Sequence, residues 1–146
     1  VLLVKHPDSS VSTPWAYGRC RDLRGDFYLD DEASFEQRRA ALRQGPLVAA
    51  LAGPAPWPPL RNDLQAVVEP EVASVAAGLR LLRLCSEALA VAMSGSGPSL
   101  FALFASREAA AAAAVDLAAP LQAAGFEHWV CSTTPCGVRL AGDEHA

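Results

Sequence analysis

The segment AVAMSGSGPSLFALF, residues 90–104, decides how the chain folds. Two apolar runs of strand length flank a loop of serine and glycine, and this pattern predicts a β-hairpin. Gly95 and Gly97 permit a positive φ and let another molecule approach the backbone closely. Backbone N–H groups curled by glycine can form an anion-binding concavity, to which Ser94 and Ser96 add hydroxyl groups. From the loop alone, a phosphate site and a turn that needs glycine only for its geometry remain open.

Composition and charge exclude several classes of partner. The 146 residues are 51% hydrophobic and carry a net charge of -4, which predicts one folded domain with a real core. Lys5 is the single lysine, and no cluster of Lys and Arg is present. A nucleic-acid surface needs such a cluster, and a membrane span needs a longer apolar run, so we expect neither partner.

The distribution of cysteine and histidine argues against a metal site. The four cysteines form no CxxC pair and predict free thiols in a reducing cytoplasm. A disulfide or metal site joining Cys131 and Cys136 is the alternative. The acidic stretch Asp30–Glu32 is typical of a solvated loop. The sequence contains no HExxH, GxSxG or GxxxxGK[ST] motif, which argues against a zinc enzyme, a serine hydrolase of that type and a P-loop enzyme.

The order of predicted elements is strand, several helices, two strands, helix and two strands. This order predicts an α+β fold, an antiparallel sheet with helices packed on one face. Residue 1 is Val and lies in a strand-like run, so we expect a fragment of a longer protein, cut at a domain boundary.

Helix boundaries follow from capping residues and proline. Thr13 before Pro14 predicts a helix start, with the helix reaching Leu23. A capping box formed by Ser34 and Gln37 predicts the start of a second helix. The remaining predicted features are a stop at Gly45-Pro46, a short helix through Leu51, a proline-rich crossing at 53–59, a cap at Asn62 or Asp63, a helix broken near Glu69-Pro70, a cap at Ser106, a kink or end at Pro120, and final strands at 126–132 and 137–140.

Three segments resemble the GHMP small-molecule kinases. Residues 93–101, MSGSGPSLF, resemble the C-terminal glycine-rich motif of that superfamily. Residues 6–17, HPDSSVSTPWAY, and residues 61–64, RNDL, resemble its branch that phosphorylates 4-diphosphocytidyl-2-C-methyl-D-erythritol. The segments occur in the family's order. The resemblance implies a GHMP kinase C-terminal domain over residues 1–146, with a ferredoxin-like antiparallel sheet.

The resemblance also implies an activity for the intact protein. Such a kinase transfers the γ-phosphoryl group of ATP to the 2-hydroxyl of its substrate in non-mevalonate isoprenoid (terpenoid) biosynthesis. In this family the aspartate base, its lysine partner and the main ATP loop belong to an N-terminal domain. ATP and Mg²⁺ are bound mainly by that domain. The resemblance therefore implies no catalytic residue and no metal ligand in this fragment, which we expect to be inactive alone.

Supporting roles remain for residues of this chain. Ser94, Gly95, Ser96 and Gly97 are expected to support the phosphate site beside the absent nucleotide loop.

Two residues of the first helix carry the implied substrate contacts. Thr13 matches a family threonine near the methylerythritol hydroxyls, and Tyr17 lies where the family places an aromatic ring against the cytosine. The structural alternatives are a helix cap for Thr13 and a core aromatic for Tyr17. Asn62 and Asp63 match a family pair whose role here could be capping alone.

A second hypothesis belongs to another functional class. The chain could be a stand-alone ferredoxin-like module that binds a ligand or dimerises without catalysis. The strand-like run at residue 1 argues against it.

Overall fold

The structure is a computed structural model and describes residues 1–23, 29, 31–45 and 60–134. The predicted helix through Leu51, the proline-rich crossing, the strand at 137–140 and Cys136 lie outside these ranges. The strands are β1 (Leu2–Lys5), β2 (Ala90–Met93), β3 (Leu100–Leu103) and β4 (Glu127–Val130), and the helices are α1 (Thr13–Leu23), α2 (Glu32–Arg43), α3 (Asp63–Val68), α4 (Ala73–Leu82) and α5 (Arg107–Ala123).

The four strands form one antiparallel sheet in the order β2-β3-β1-β4. The hairpin predicted around the serine–glycine loop is present, because β2 pairs with β3 directly. Strand β1 lies between β3 and β4 and is antiparallel to both. With helices between β1 and β2 and between β3 and β4, this is the ferredoxin-like arrangement. The predicted α+β fold is confirmed.

Alternation along the central strands places the core on one face of the sheet. Leu2 and Val4 of β1 pair with Ala102 and Leu100 of β3, and all four side chains are fully buried. Helix α4 contacts β2 and β3, while α5 contacts β1 and β4. Apolar side chains on a pleated strand alternate between faces, so this register presents one continuous apolar surface to the two helices.

Helix α1 begins one residue earlier than predicted. Ser12, rather than Thr13, is the capping residue, because the Ser12 carbonyl accepts a hydrogen bond from the Ala16 N–H (3.0 Å) and its hydroxyl accepts one from the Trp15 N–H (3.4 Å). Thr13 is the first helical residue. The predicted cap at Thr13 is therefore wrong, and its hydroxyl is available for another contact.

The start of α2 was also predicted too late. Asp31 caps this helix, and its carboxylate accepts a hydrogen bond from the Ser34 N–H at 2.8 Å. Hydrogen bonds from Ser34 lower the pKa of Asp31, which favours the charged form beside the helix N-terminus. Ser34 is thus inside the helix, and the predicted capping box does not mark its start. Phe35 and Leu42 of this helix are exposed.

Two further helix starts follow the predicted caps, whereas the effect predicted for Pro120 differs from the structure. Asn62 caps α3, Ser106 caps α5, and the predicted break separates α3 from α4. Of the two predictions for Pro120, the end of the helix is wrong, because α5 continues through this proline to Ala123. Leu117 and Leu121 are buried on either side of the proline, and this packing outweighs the missing backbone hydrogen bond.

Within the described ranges, every helix is too short or too polar to cross a bilayer.

Candidate functional site

The loop between β2 and β3 is a tight turn that requires glycine twice. The Ser94 N–H donates to the Ser99 carbonyl (2.8 Å), and the Gly97 N–H donates to the Ser94 carbonyl (2.9 Å). Gly95 has φ +56° and Gly97 has φ +82°. Both values lie in the left-handed region, which side chains with a Cβ atom rarely adopt.

The two glycines face different surroundings. A Cβ atom at Gly95 would meet nothing within 4 Å, whereas one at Gly97 would lie 2.7 Å from the Met93 sulfur. Gly95 is thus open to another molecule, and Gly97 packs on the domain. Among the described residues, the N–H groups of Gly95 and Ser96 have no hydrogen-bond acceptor. Two adjacent unpaired donors at an open glycine are suited to an anion.

Helix α1 contacts this loop through a pair of hydroxyl groups. Thr13 Oγ1 and Ser96 Oγ share a hydrogen bond at 2.8 Å, although the residues are 83 positions apart in the sequence. Two segments that the sequence predicted to belong to one site are therefore in direct contact. The Ser12 hydroxyl caps the helix, and the Thr13 hydroxyl contacts the loop.

Tyr17 lies one helical turn from Thr13 and on the same side of α1. Its side chain is 43% exposed, whereas Ala16 and Cys20 on the adjoining face are fully buried. The alternative that Tyr17 is a core aromatic is therefore wrong. The helix presents an exposed aromatic ring beside the residue that touches the loop.

Both the oxygen and the nitrogen of the Asn62 side-chain amide form hydrogen bonds. Only the role of the oxygen, as a helix cap, was predicted from the sequence. Its Oδ1 accepts hydrogen bonds from the N–H groups of Leu64 (3.0 Å) and Gln65 (3.3 Å), which is the predicted cap. Its Nδ2 donates to the carbonyls of Met93 (2.8 Å) and Gly95 (2.9 Å). The one signal available in the sequence was the residue type, since Asn has donors that the alternative caps Asp, Ser and Thr cannot direct in this way.

Gln65 connects the end of β2 to the ion pair between Glu69 and Arg83. Its Oε1 accepts a hydrogen bond from the Met93 N–H (2.8 Å), and its Nε2 donates to Glu69 (3.0 Å). Arg83 donates to both carboxylate oxygens of Glu69, at 2.6 and 3.2 Å. These hydrogen bonds from Arg83 lower the pKa of Glu69 despite its partial burial, so the carboxylate stays charged at neutral pH. Nothing in the sequence pattern predicted this network.

Asp63, the other residue of the predicted pair, has different partners. Its carboxylate accepts a hydrogen bond from Arg61 Nε at 2.8 Å, and its backbone carbonyl accepts one from the Cys20 thiol at 3.2 Å. In the part of the chain that the structure describes, no three side chains of His, Cys, Asp or Glu are grouped to hold a metal ion.

Curated relatives cover this chain almost completely. A protein of Synechococcus sp. (strain CC9902) is 54% identical over 141 residues, which are 97% of this chain and 46% of the relative. A protein of Synechococcus sp. (strain CC9311) is 55% identical, covering 96% and 45%, and one of Prochlorococcus marinus (strain MIT 9303) is 51% identical, covering 96% and 44%. All three are named 4-diphosphocytidyl-2-C-methyl-D-erythritol kinase. The chain spans a little under half the length of these relatives.

A family model agrees with the fold and with the loop. Residues 40–123 match the model described as GHMP kinases C terminal, which is more than half of the chain and includes the whole serine–glycine hairpin. The resemblance that rested on three short segments is thereby confirmed: the chain belongs to the GHMP kinase C-terminal family.

Proposed function

We propose that this chain is the substrate-side, C-terminal part of a kinase that transfers the γ-phosphoryl group of ATP to the 2-hydroxyl of 4-diphosphocytidyl-2-C-methyl-D-erythritol, a step of isoprenoid biosynthesis. The similarity to kinases of that name supports the substrate. The observation that carries the proposal is the hydrogen bond between Thr13 and Ser96, because it brings the helix with the implied substrate contacts to the implied phosphate loop.

The loop supplies hydrogen-bond donors for phosphate. The N–H groups of Gly95 and Ser96, which have no acceptor among the described residues, would support the phosphoryl group, while Ser94 and Gly97 close the turn through their own hydrogen bond. Phosphoryl transfer requires placement of the two substrates in line and neutralisation of charge. The described residues form no metal-ligand cluster and do not fit a Mg²⁺ site. The resemblance to GHMP kinases supports assigning ATP, Mg²⁺ and the base that activates the hydroxyl to the N-terminal domain of that family.

Helix α1 would bind the acceptor substrate. Thr13 would lie beside the methylerythritol hydroxyls, next to the phosphate loop. Tyr17, one turn further along, would stack its ring on the cytosine, since an exposed aromatic face binds any base by stacking. The distance from the loop to the cytosine would then be set by one turn of a rigid helix.

A cytoplasmic location belongs to the same proposal. Among the described residues, Cys20, Cys85 and Cys131 form no disulfide, and thiols persist in reducing compartments. Burial and, secondarily, Asp116 raise the pKa of Cys85, which keeps its thiol protonated and unreactive at neutral pH.

A kinase assay on the isolated chain and on the intact protein tests the proposal. We expect no ATP turnover from the 146-residue chain alone and turnover with the cytidine substrate when the upstream half is supplied. Turnover by the chain alone would contradict the division of labour. Absence of turnover from both would favour the stand-alone ligand-binding or dimerisation module.

Tyr17→Ala in the intact protein is expected to raise the KM for the cytidine substrate by roughly 5- to 150-fold, since stacking on a base contributes about 1–3 kcal/mol. Tyr17→Phe keeps the ring and should retain the wild-type KM. Trp15→Ala is the matched control, because Trp15 is similarly exposed but lies two positions away, where helix residues do not share a face. Steady-state kinetics at saturating ATP measure the effect. An equal rise in KM for Trp15→Ala would show that Tyr17 has no specific contact.

A further inference from the structure

We propose that Asn62 is a positioning residue for phosphoryl transfer, which holds the serine–glycine loop so that the Ser96 N–H faces the phosphate. This role goes beyond capping α3. The identity of the anion rests on the proposed function, whereas the direction in which the Ser96 N–H points follows from the geometry alone.

The first step concerns the edge of the sheet. Strand β2 is an edge strand, so the N–H and C=O groups of Met93 that point away from β3 have no neighbouring strand. Asn62 Nδ2 donates to the Met93 carbonyl, and Gln65 Oε1 accepts from the Met93 N–H, both at 2.8 Å. The side chains of Asn62, the cap of α3, and of Gln65 in its first turn thus take the place of a strand at the residue immediately before the loop.

The second step concerns the loop itself. Asn62 Nδ2 also donates to the Gly95 carbonyl at 2.9 Å. The peptide bond between Gly95 and Ser96 is trans, so its C=O and N–H groups point in opposite directions. Holding the Gly95 carbonyl toward α3 therefore directs the Ser96 N–H away from α3, and this N–H has no acceptor among the described residues.

The third step is that the loop is held from a second direction. The Ser96 hydroxyl is hydrogen-bonded to Thr13 of α1, so neighbouring residues of the loop are fixed by two different helices. Gln65, which completes the contact with Met93, is itself held by the Glu69–Arg83 ion pair. A donor fixed in this way needs no rearrangement when charge develops on the phosphoryl group, which is how preorganised N–H groups accelerate such reactions.

Two substitutions separate positioning from capping. Asp and Ser are both good helix caps, so Asn62→Asp and Asn62→Ser should keep the start of α3. Neither side chain, as carboxylate or short hydroxyl, can donate to the carbonyls of both Met93 and Gly95. Asn62→Ser is neutral and so excludes simple repulsion between a new carboxylate and the phosphate. Ser106→Ala is the control, because it removes the cap of α5, in which Ser106 Oγ accepts from the Ala109 N–H at 3.1 Å, and this cap follows the end of β3 opposite the loop.

Hydrogen exchange and kinetics of the intact protein test the inference together. In Asn62→Ser, the N–H groups of Ser94 and Gly97 should exchange about tenfold faster than in the wild type, because the turn that protects them is released. The kcat/KM for ATP should fall by roughly 10- to 100-fold, as expected for a misplaced group. Ser106→Ala should leave the exchange rates and the kcat/KM unchanged, while it lowers the melting temperature at least as much as Asn62→Ser does. Asn62→Asp should show the same faster exchange.

The outcomes distinguish this inference from the proposed function. Wild-type exchange in the loop of Asn62→Ser and Asn62→Asp would overturn the positioning role, whatever the activity. Suppose that the intact protein has no kinase activity but that exchange is faster in the Asn62 variants. This result would support the positioning of the Ser96 N–H and contradict only the assignment of phosphate as its ligand. Equal loss of activity in Ser106→Ala would overturn the role, because general destabilisation would then explain the kinetics.

Discussion

Gly97→Val is expected to lower the free energy of unfolding by roughly 2–5 kcal/mol. A β-branched residue is strained at φ +82°, which alone contributes about 1–2 kcal/mol. Its Cβ atom would also lie 2.7 Å from the sulfur of Met93, so this side chain, which is only 2% exposed, would have to shift within the core. Overpacking of this kind contributes about 1–3 kcal/mol more.

Gly95→Asn is the matched control for this prediction. Gly95 also has a positive φ, but a Cβ atom there meets no other atom, and Asn tolerates the left-handed region. Urea denaturation of both variants of the chain measures the difference. A loss in Gly95→Asn as large as in Gly97→Val would show that packing on Met93 is unimportant. Gly95, and not Gly97, is therefore the position at which a substitution tests phosphate binding in a folded domain.

Leu100→Ala is expected to lower the free energy of unfolding by about 2–5 kcal/mol, since it removes a fully buried side chain where the loop returns to the sheet. Leu100 also occupies the space above Gly78 of α4. A Cβ atom at Gly78 would lie 2.3 Å from Leu100 Cδ1 and 3.1 Å from the ring of Phe126. Glycine at this position lets the helix approach the sheet.

A double-mutant cycle tests this complementarity. Gly78→Ala alone gains about 1 kcal/mol of helix propensity, but overpacking against Leu100 outweighs it by about 1–2 kcal/mol. In Gly78→Ala/Leu100→Ala the new methyl group enters the space that the leucine leaves. The double variant should therefore be more stable than the sum of the single effects, by roughly 1–3 kcal/mol. Additive effects in urea denaturation would contradict direct contact between the two positions.

The hairpin and the fold class could be predicted because local pattern and burial agree. Alternation in β1 and β3 places Leu2, Val4 and Leu100 on the buried face, as their spacing indicates. Sequence pattern was less reliable at helix starts, where several residue types suit the same position. Ser12 and Thr13 are both good caps, and only the backbone decides that Ser12 accepts the hydrogen bonds.

The contacts that build the site could not be predicted from local rules. The hydrogen bond between Thr13 and Ser96 joins residues 83 positions apart, and its existence depends on where tertiary packing places α1 relative to the loop. The exposure of Tyr17 depends on the same packing, since the periodicity of α1 does not show which flank of the buried stripe remains open. Pattern suggested which residues matter, and tertiary structure decided which of them meet.

The amide contacts at the end of β2 have a consequence for solubility during folding and storage. Unsatisfied main-chain groups on an outer strand recruit strands of other molecules and so promote aggregation. Because Asn62 and Gln65 occupy these groups at Met93, a second molecule cannot extend the sheet there without first displacing α3. Asn62 and Gln65, which bind the end of β2, therefore also protect this edge of the sheet at Met93 against strand addition from another molecule.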